Sequence, residues 1–290
     1  MADAALLQHR AEQAAAALPP LLVAANRVAA TVAQGVHGRR RVGQGETFWQ
    51  FRQYQQGDSV QRVDWRESGK SQRLYIRETE WEAAQSVWLW RDASASMDYA
   101  STRNLPTKRE RADLLTLALA SLVLRGGERV AMMGTGVMPS HGRAVLPRLA
   151  LQIERETSTD LPAIEPLPRN GQIVMIGDLL AKLEDIERVV ARYAAMGLNG
   201  HLLQVLDPAE ETLPFEGRVR FEGLQQENPL LISRVEAVRA QYTDRLARHR
   251  AGLTAIARAA GWRFATHRTD RPPHTALLSL YTALSADVRK

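Results

Sequence analysis

From Trp81 onward, short apolar runs alternate with stretches of helical period. The runs lie at 86–90 (SVWLW), 129–134 (RVAMMG), 172–177 (QIVMIG), 200–206 (GHLLQVL) and 262–266 (WRFAT). They are continuous rather than alternating, which is the pattern of strands buried on both faces of a parallel sheet. Between them, Ala112, Leu115, Leu119 and Leu122 predict a helix over 108–125, and Leu183, Ile186, Val189, Val190 and Tyr193 one over 182–196. The longest helical pattern runs over 230–260, where Val235, Val238, Tyr242, Leu246 and Leu253 fall on one stripe and several Arg on other faces. Strands alternating with helices predict an α/β fold with a doubly wound, mostly parallel sheet flanked by helices, Rossmann-like in layout. In such sheets ligands bind outside the carboxyl ends of the strands, so chemistry is expected just after each apolar run.

The first 80 residues have a different texture. Residues 1–36 are rich in Ala and Leu, but Asp3, Arg10, Glu12 and Arg27 interrupt them and Pro19–Pro20 splits them into two short helices. Residues 37–80 are polar, aromatic and charged, with turn signals at Gly43, Gly45, Gly57–Asp58 and Ser68–Gly69 and no helical period. The expected organisation is an N-terminal segment of helices and irregular chain over 1–80, packing on a main domain over 81–290. No run approaches the roughly 20 apolar residues of a spanning helix, and no basic stretch precedes an apolar core as in a leader peptide. A cytoplasmic protein without direct membrane insertion is therefore expected.

Composition narrows the chemistry. The 290 residues include no Cys, which excludes disulfides, thiolate metal sites and a Cys nucleophile. The net charge is +6, and only four of the 38 basic residues are Lys. This balance hints at nucleic acid, but residues 37–80 mix nine Arg or Lys with six Asp or Glu, and no nucleic-acid-binding signature is present. No nucleic-acid partner is expected. Gly134-Thr135-Gly136 lacks the Lys of a phosphate loop, neither Ser94 nor Ser96 sits in a Gly-x-Ser-x-Gly elbow, and the seven His are scattered.

What remains is an oxygen-rich constellation. Asp92-Ala93-Ser94-Ala95-Ser96 follows the first run, Asp178 follows the third, and the loop Thr157-Ser158-Thr159-Asp160 lies between them in sequence. Two carboxylates and several hydroxyls at one sheet edge suit a hard cation, Mg²⁺ or else Mn²⁺ or Ca²⁺, rather than Zn²⁺. Alternating residues of an extended loop point the same way, so Ser94 and Ser96 can share a face with Asp92. Asp92 and Ser96 could equally serve as caps for the following helix. In the earlier segment, Arg52, Arg62 and Arg66 with Asp58 and Asp64 read either as internal bidentate pairs or as a docking surface that includes Tyr54 and Trp65.

Asp-x-Ser-x-Ser after a first strand, a Thr in a later loop and an Asp after a further strand resemble the metal-ion-dependent adhesion site of von Willebrand factor A domains. The resemblance implies that Asp92, Ser94, Ser96, Thr159 and Asp178 are the metal ligands, with Thr157 the alternative to Thr159. Phe51-Arg52-Gln53-Tyr54, Gly57-Asp58, Arg62-Val63-Asp64-Trp65-Arg66 and Leu74-Tyr75-Ile76-Arg77-Glu78, followed by Leu206-Asp207-Pro208, Glu210-Glu211 and Arg268-Thr269-Asp270, resemble the bacterial domain-of-unknown-function 58 family over about residues 40–285. That resemblance implies a von Willebrand factor A-like domain and a MoxR-type AAA+ ATPase as partner in complex assembly or maturation. The expected function is a non-enzymatic, metal-dependent protein-interaction module whose ion accepts a carboxylate from a partner. The alternatives are a Mg²⁺- or Mn²⁺-dependent phosphoester hydrolase and, further off, a nucleic-acid-binding protein.

Overall fold

The structure is a computed structural model and describes residues 20–36, 48–55, 63–70, 73–79, 85–155, 160–223 and 228–287. Its elements in chain order are α1 (Pro20–Val36), β1 (Phe48–Gln53), α2 (Trp65–Ser68), β2 (Tyr75–Thr79), β3 (Ser86–Arg91), a 3₁₀ turn (Ala95–Asp98), α3 (Lys108–Arg125), β4 (Arg129–Met132), α4 (Val145–Arg155), β5 (Gln172–Gly177), α5 (Leu183–Ala195), β6 (Asn199–Leu206), α6 (Pro208–Thr212), β7 (Val219–Phe221), β8 (Leu230–Ile232), α7 (Val235–Ala259), β9 (Arg263–Arg268) and α8 (Pro273–Asp287). The chain divides into two compact units. One holds α1 and everything from Gln85 on, and the other lies within His37–Ala84.

In the larger unit, five parallel strands lie in the order β4-β3-β5-β6-β9. Their apolar runs divide between two cores because successive side chains point to opposite faces. Val87, Leu89, Val174 and Ile176 face one core with α1, α3, α4 and α8, whereas Trp88, Trp90, Ile173 and Met175 face the other with α5 and α7. Helices therefore cover both faces, as the continuous apolar runs predict. The chain passes from β3 out to β4 and returns to β5 on the other side of β3. The order thus reverses between β3 and β5, the place where open parallel sheets form a binding crevice.

Helix α1 lies in the N-terminal segment expected to pack on the main domain, and it groups with the sheet unit. Ala25, Ala29 and Val32 are buried in the core of the sheet unit, and Ser121 Oγ meets Asn26 Oδ1 at 2.8 Å. With α1 and α8 outside it, α3 is buried on nearly every side, from Ala112 to Val123, and a capping box of Thr107 and Glu110 fixes its start. The helix expected over 230–260 begins only at Val235. Leu230–Ile232 pairs antiparallel with Val219–Phe221 instead, a hairpin pairing that helical spacing cannot reveal. Helices α4 and α8 had no counterpart in the expected pattern.

The smaller unit is more regular than its sequence suggests. β1 and β2 pair antiparallel, and Asp64 caps the single turn α2 by accepting the backbone N–H groups of Arg66 and Glu67. Ser68, buried, accepts the Tyr75 N–H at 2.8 Å.

At the far end of β9, His267 is 6% exposed and its Nε2 has no hydrogen-bond partner among the described residues. Burial, and then the positive charge of Arg111, lower its pKa from 6.5 to about 4. A neutral folded His267 takes up fewer protons than an unfolded one between these values, so its contribution is intact above about pH 6.5 and is lost as pH falls toward 4. Relative to His267→Gln, the wild type should lose roughly 2–3 kcal/mol of unfolding free energy between pH 7 and pH 4. Urea denaturation of both proteins checks this, and the comparison cancels opposing groups such as Asp113, which burial pushes up to about 6.

Candidate metal centre

The carboxyl ends of β3 and β5 deliver Asp92 and Asp178 to the switch point. The Asp92 N–H donates to the Ile176 carbonyl at 2.9 Å, which carries the sheet pairing one residue past β3. Asp92 Oδ1 then accepts the Ser94 N–H at 2.8 Å and turns the loop back on itself. Met97, fully buried, anchors the 3₁₀ turn. The hydroxyls of Ser94 and Ser96 come within 2.9 Å of each other, and Ser96 Oγ donates to Asp178 Oδ2 at 2.6 Å. Asp92, Ser94 and Asp178 are buried, and half-buried Ser96 is the member closest to solvent.

Neighbouring groups hold this loop from several sides. Arg109 donates from Nη2 to the Ala93 and Ser94 carbonyls, both at 3.0 Å, and pairs with Asp98. Arg91, buried, pairs with Asp113 at 2.7 Å and donates to the Ile153 carbonyl at 2.7 Å, tying β3 to the end of α4. The Leu180 N–H donates to Asp178 Oδ1 at 3.2 Å, and between them Leu179, buried, takes a φ of 51°. A branched residue in the left-handed region costs free energy and persists only where its surroundings fix it. Here His249 Nε2 meets the Leu179 carbonyl at 2.7 Å, and Gln204 Nε2 donates to the Asp178 carbonyl at 2.9 Å.

A buried ammonium completes the cluster. Lys108, the first residue of α3 and wholly buried, donates from Nζ to Asp178 Oδ2 at 2.9 Å and to Glu210 Oε1 at 2.6 Å. Burial disfavours its charge, but the Asp178 and Glu210 carboxylates outweigh burial and hold its pKa above the usual lysine value. Glu210 is placed by α6, where its Oε2 accepts the Asp207 N–H in a capping box, and burial raises its carboxyl pKa. Asp207, also buried, is committed to the Ala209 and Ser101 N–H groups. Asp92 bears the remaining strain: burial, and then the negative charge of Asp178, push its carboxyl up to about 7.

The structure thus brings together Asp92, Ser94, Ser96 and Asp178, while Thr159 and Thr157 lie outside the described residues. Among the described residues no group of three or more His, Cys, Asp or Glu side chains is placed to hold a metal ion. The donors that do converge are two carboxylates and two hydroxyls, all oxygen, with a surplus of buried negative charge. This set fits a hard divalent cation. The capping alternative is met only in part. Asp92 accepts the Ser94 N–H, but the 3₁₀ turn has no side-chain cap and α3 is capped by Thr107.

In the smaller unit, Tyr54 is half-buried and its N–H donates to the Leu74 carbonyl at 2.8 Å. Asp64 acts as a helix cap, and Trp65 is 63% exposed. The backbone of Arg52 pairs with Ile76, but its side chain, like Asp58 and Arg62, lies outside the described residues. Sequence reasoning gave Lys108 no role and took Glu210 only as part of a family motif. The available signals were a Lys in a chain that uses Arg almost throughout, and the Glu of the Asp207-Pro208-Ala209-Glu210 segment.

Gly177 lets β5 approach the loop this closely. A Cβ there would lie 2.5 Å from the Asp92 Cβ and 3.0 Å from its Oδ2. Gly177→Ala should therefore displace Asp92 and lower stability by about 1–3 kcal/mol, measurable by urea denaturation at neutral pH.

Three solved structures resemble the chain at low sequence identity. The chain resembles BatB from Bacteroides thetaiotaomicron at 15% identity and a TM-score of 0.44, covering 71% of this chain and 100% of that one. It resembles an aerotolerance-related membrane protein from Bacteroides fragilis at 15% identity and a TM-score of 0.39, covering 71% and 99%. A membrane spanning protein from Vibrio fischeri matches at 12% identity and a TM-score of 0.18, covering 70% and 98%. The expectation of a cytoplasmic protein does not stand beside neighbours described as membrane proteins. Among the described residues no helix is long and apolar enough to cross a membrane, which by itself assigns no compartment. Uncharacterized proteins of Mycobacterium tuberculosis and Mycobacterium bovis are 26% identical over 277 residues, covering 89% of this chain and 85% of theirs. The model of the family described as "Protein of unknown function DUF58" matches residues 50–252, most of the chain, and the protein belongs to that family.

Proposed function

We propose that the loop edge between β3 and β5 holds a divalent hard cation and that the protein is a non-enzymatic, metal-dependent interaction module of the von Willebrand factor A kind. The observation that carries this reading is the convergence of Asp92, Ser94, Ser96 and Asp178 at the switch point. In support, Asp92 is driven toward protonation by burial and by the Asp178 charge, which is the condition a bound cation would relieve.

Each residue has a distinct task. Asp92 and the two serine hydroxyls would face the ion, and a Thr of the 157–159 segment would join them. Asp178 orients Ser96 by accepting its hydroxyl, and Arg109 holds the loop backbone still through the Ala93 and Ser94 carbonyls. When bound, the cation supplies an open coordination position for a carboxylate oxygen. That carboxylate would come from a protein partner, proposed on family resemblance to be a MoxR-type AAA+ ATPase in complex assembly or maturation.

In thermal unfolding, Mg²⁺ or Mn²⁺ at ten times its Kd should stabilise the wild type by about 1.4 kcal/mol over EDTA, a rise of roughly 2–3 °C in Tm. Asp92→Ala should show no rise, and capture of purified MoxR-type ATPase should fail in EDTA. Equal Tm values for the wild type with and without metal would contradict the reading. Phosphoester turnover that needs Mn²⁺ and disappears in Asp178→Ala would favour the hydrolase instead.

A further inference from the structure

The Lys108 ammonium lies inside the same hydrogen-bonded chain as the candidate ligands. From Asp92 the chain runs through Ser94 and Ser96 to Asp178 Oδ2, which accepts from both Ser96 Oγ and Lys108 Nζ, and from Lys108 it continues to Glu210. Lys108 enters from the start of α3 and Glu210 from α6, so neither belongs to the two loops that supply the proposed ligands. The other cations nearby are already paired, Arg91 with Asp113 and Arg109 with Asp98.

We propose that Lys108 is a built-in cation that sets the charge of the metal centre and thereby limits its affinity for divalent ions, an inference that rests on the metal reading above. Asp92, Asp178 and Glu210 carry three negative charges and Lys108 one positive, so the cluster stands at −2 when all are ionised. A divalent ion brings it to zero. Without Lys108 the empty cluster would stand at −3, and it would attract the ion more strongly in a site this far from water. Lys108 also competes for the Asp178 oxygen that orients Ser96. Glu210 has the opposite role: it offsets the ammonium and keeps it from repelling the incoming ion outright. With the ion bound, these four groups and the ion sum to zero, which lessens their repulsion of a partner's carboxylate. A purely structural ion pair would make no such prediction, because loss of either partner would then loosen the loop and weaken metal binding alike.

The test is Mn²⁺ binding by the full chain, followed by isothermal titration calorimetry and by the electron paramagnetic resonance signal of free Mn²⁺. Lys108→Met should bind Mn²⁺ on the order of tenfold more tightly than the wild type. Glu210→Gln should bind several-fold more weakly. The double variant Lys108→Met/Glu210→Gln restores the original net charge, and Asp178 keeps its Ser96 and Leu180 donors, so it should fold and bind within about threefold of the wild type. If the wild type binds Mn²⁺ and Lys108→Met binds it equally or more weakly, the role given to Lys108 is wrong while the metal centre stands. If Lys108→Met does not fold, the double variant decides: binding within about threefold of the wild type supports the charge role, and binding about tenfold weaker or more overturns the proposal. If neither the wild type nor any variant binds Mn²⁺, both the metal centre and the role of Lys108 fall.

Discussion

Asp178 Oδ2 is the atom on which the carboxyl edge of the sheet depends, because it accepts both the Ser96 hydroxyl and the Lys108 ammonium. Through Ser96 it fixes the loop that leaves β3, and through Lys108 it fixes the start of α3 and, beyond it, Glu210 of α6. Charges this deeply buried must be balanced locally, since a carboxylate or ammonium removed from water without a partner costs several kcal/mol. The surrounding packing follows from that requirement. Gly177 gives Asp92 room beside β5, Leu179 adopts a left-handed backbone, and Gln204 and His249 hold the carbonyls of Asp178 and Leu179.

The same edge is linked to α7. Arg250 donates to Gln204, whose other end holds the Asp178 carbonyl, and the Tyr242 hydroxyl donates to the Glu210 carbonyl at 2.6 Å. A long helix on one face of the sheet therefore contacts both the Asp178 loop and the turn carrying Glu210. The central helix α3 reaches the cluster from the other face through Lys108. The loop that follows β3 is thus set by elements of both layers.

Much of this was legible in the sequence, for a physical reason. Strands covered on both faces must be apolar at every position, so β3, β5 and β6 stand out as continuous runs, and the residues after them mark the binding edge. Asp92, Ser94, Ser96 and Asp178 could be named from that rule and from their oxygen chemistry. Other features were hidden because they depend on distant partners. Leu230 and Leu231 continue the helical spacing of α7, yet they pair with a strand about ten residues upstream. β1 and β2 carry charges at positions where alternation would otherwise show. Lys108 reads as an ordinary first-turn lysine, and only the fold brings it to carboxylates 70 and 102 residues away. The small apolar face of α1, Ala25, Ala29 and Val32, does not reveal which part of the core it fills.

Whether a cation is held between the β3 and β5 loops is tested most directly by crystallography with Mn²⁺. An anomalous difference map should show one strong peak within coordination distance of Asp92, Ser94 and Ser96. A map without density there, or with Mn²⁺ bound only elsewhere on the molecule, would contradict the metal reading.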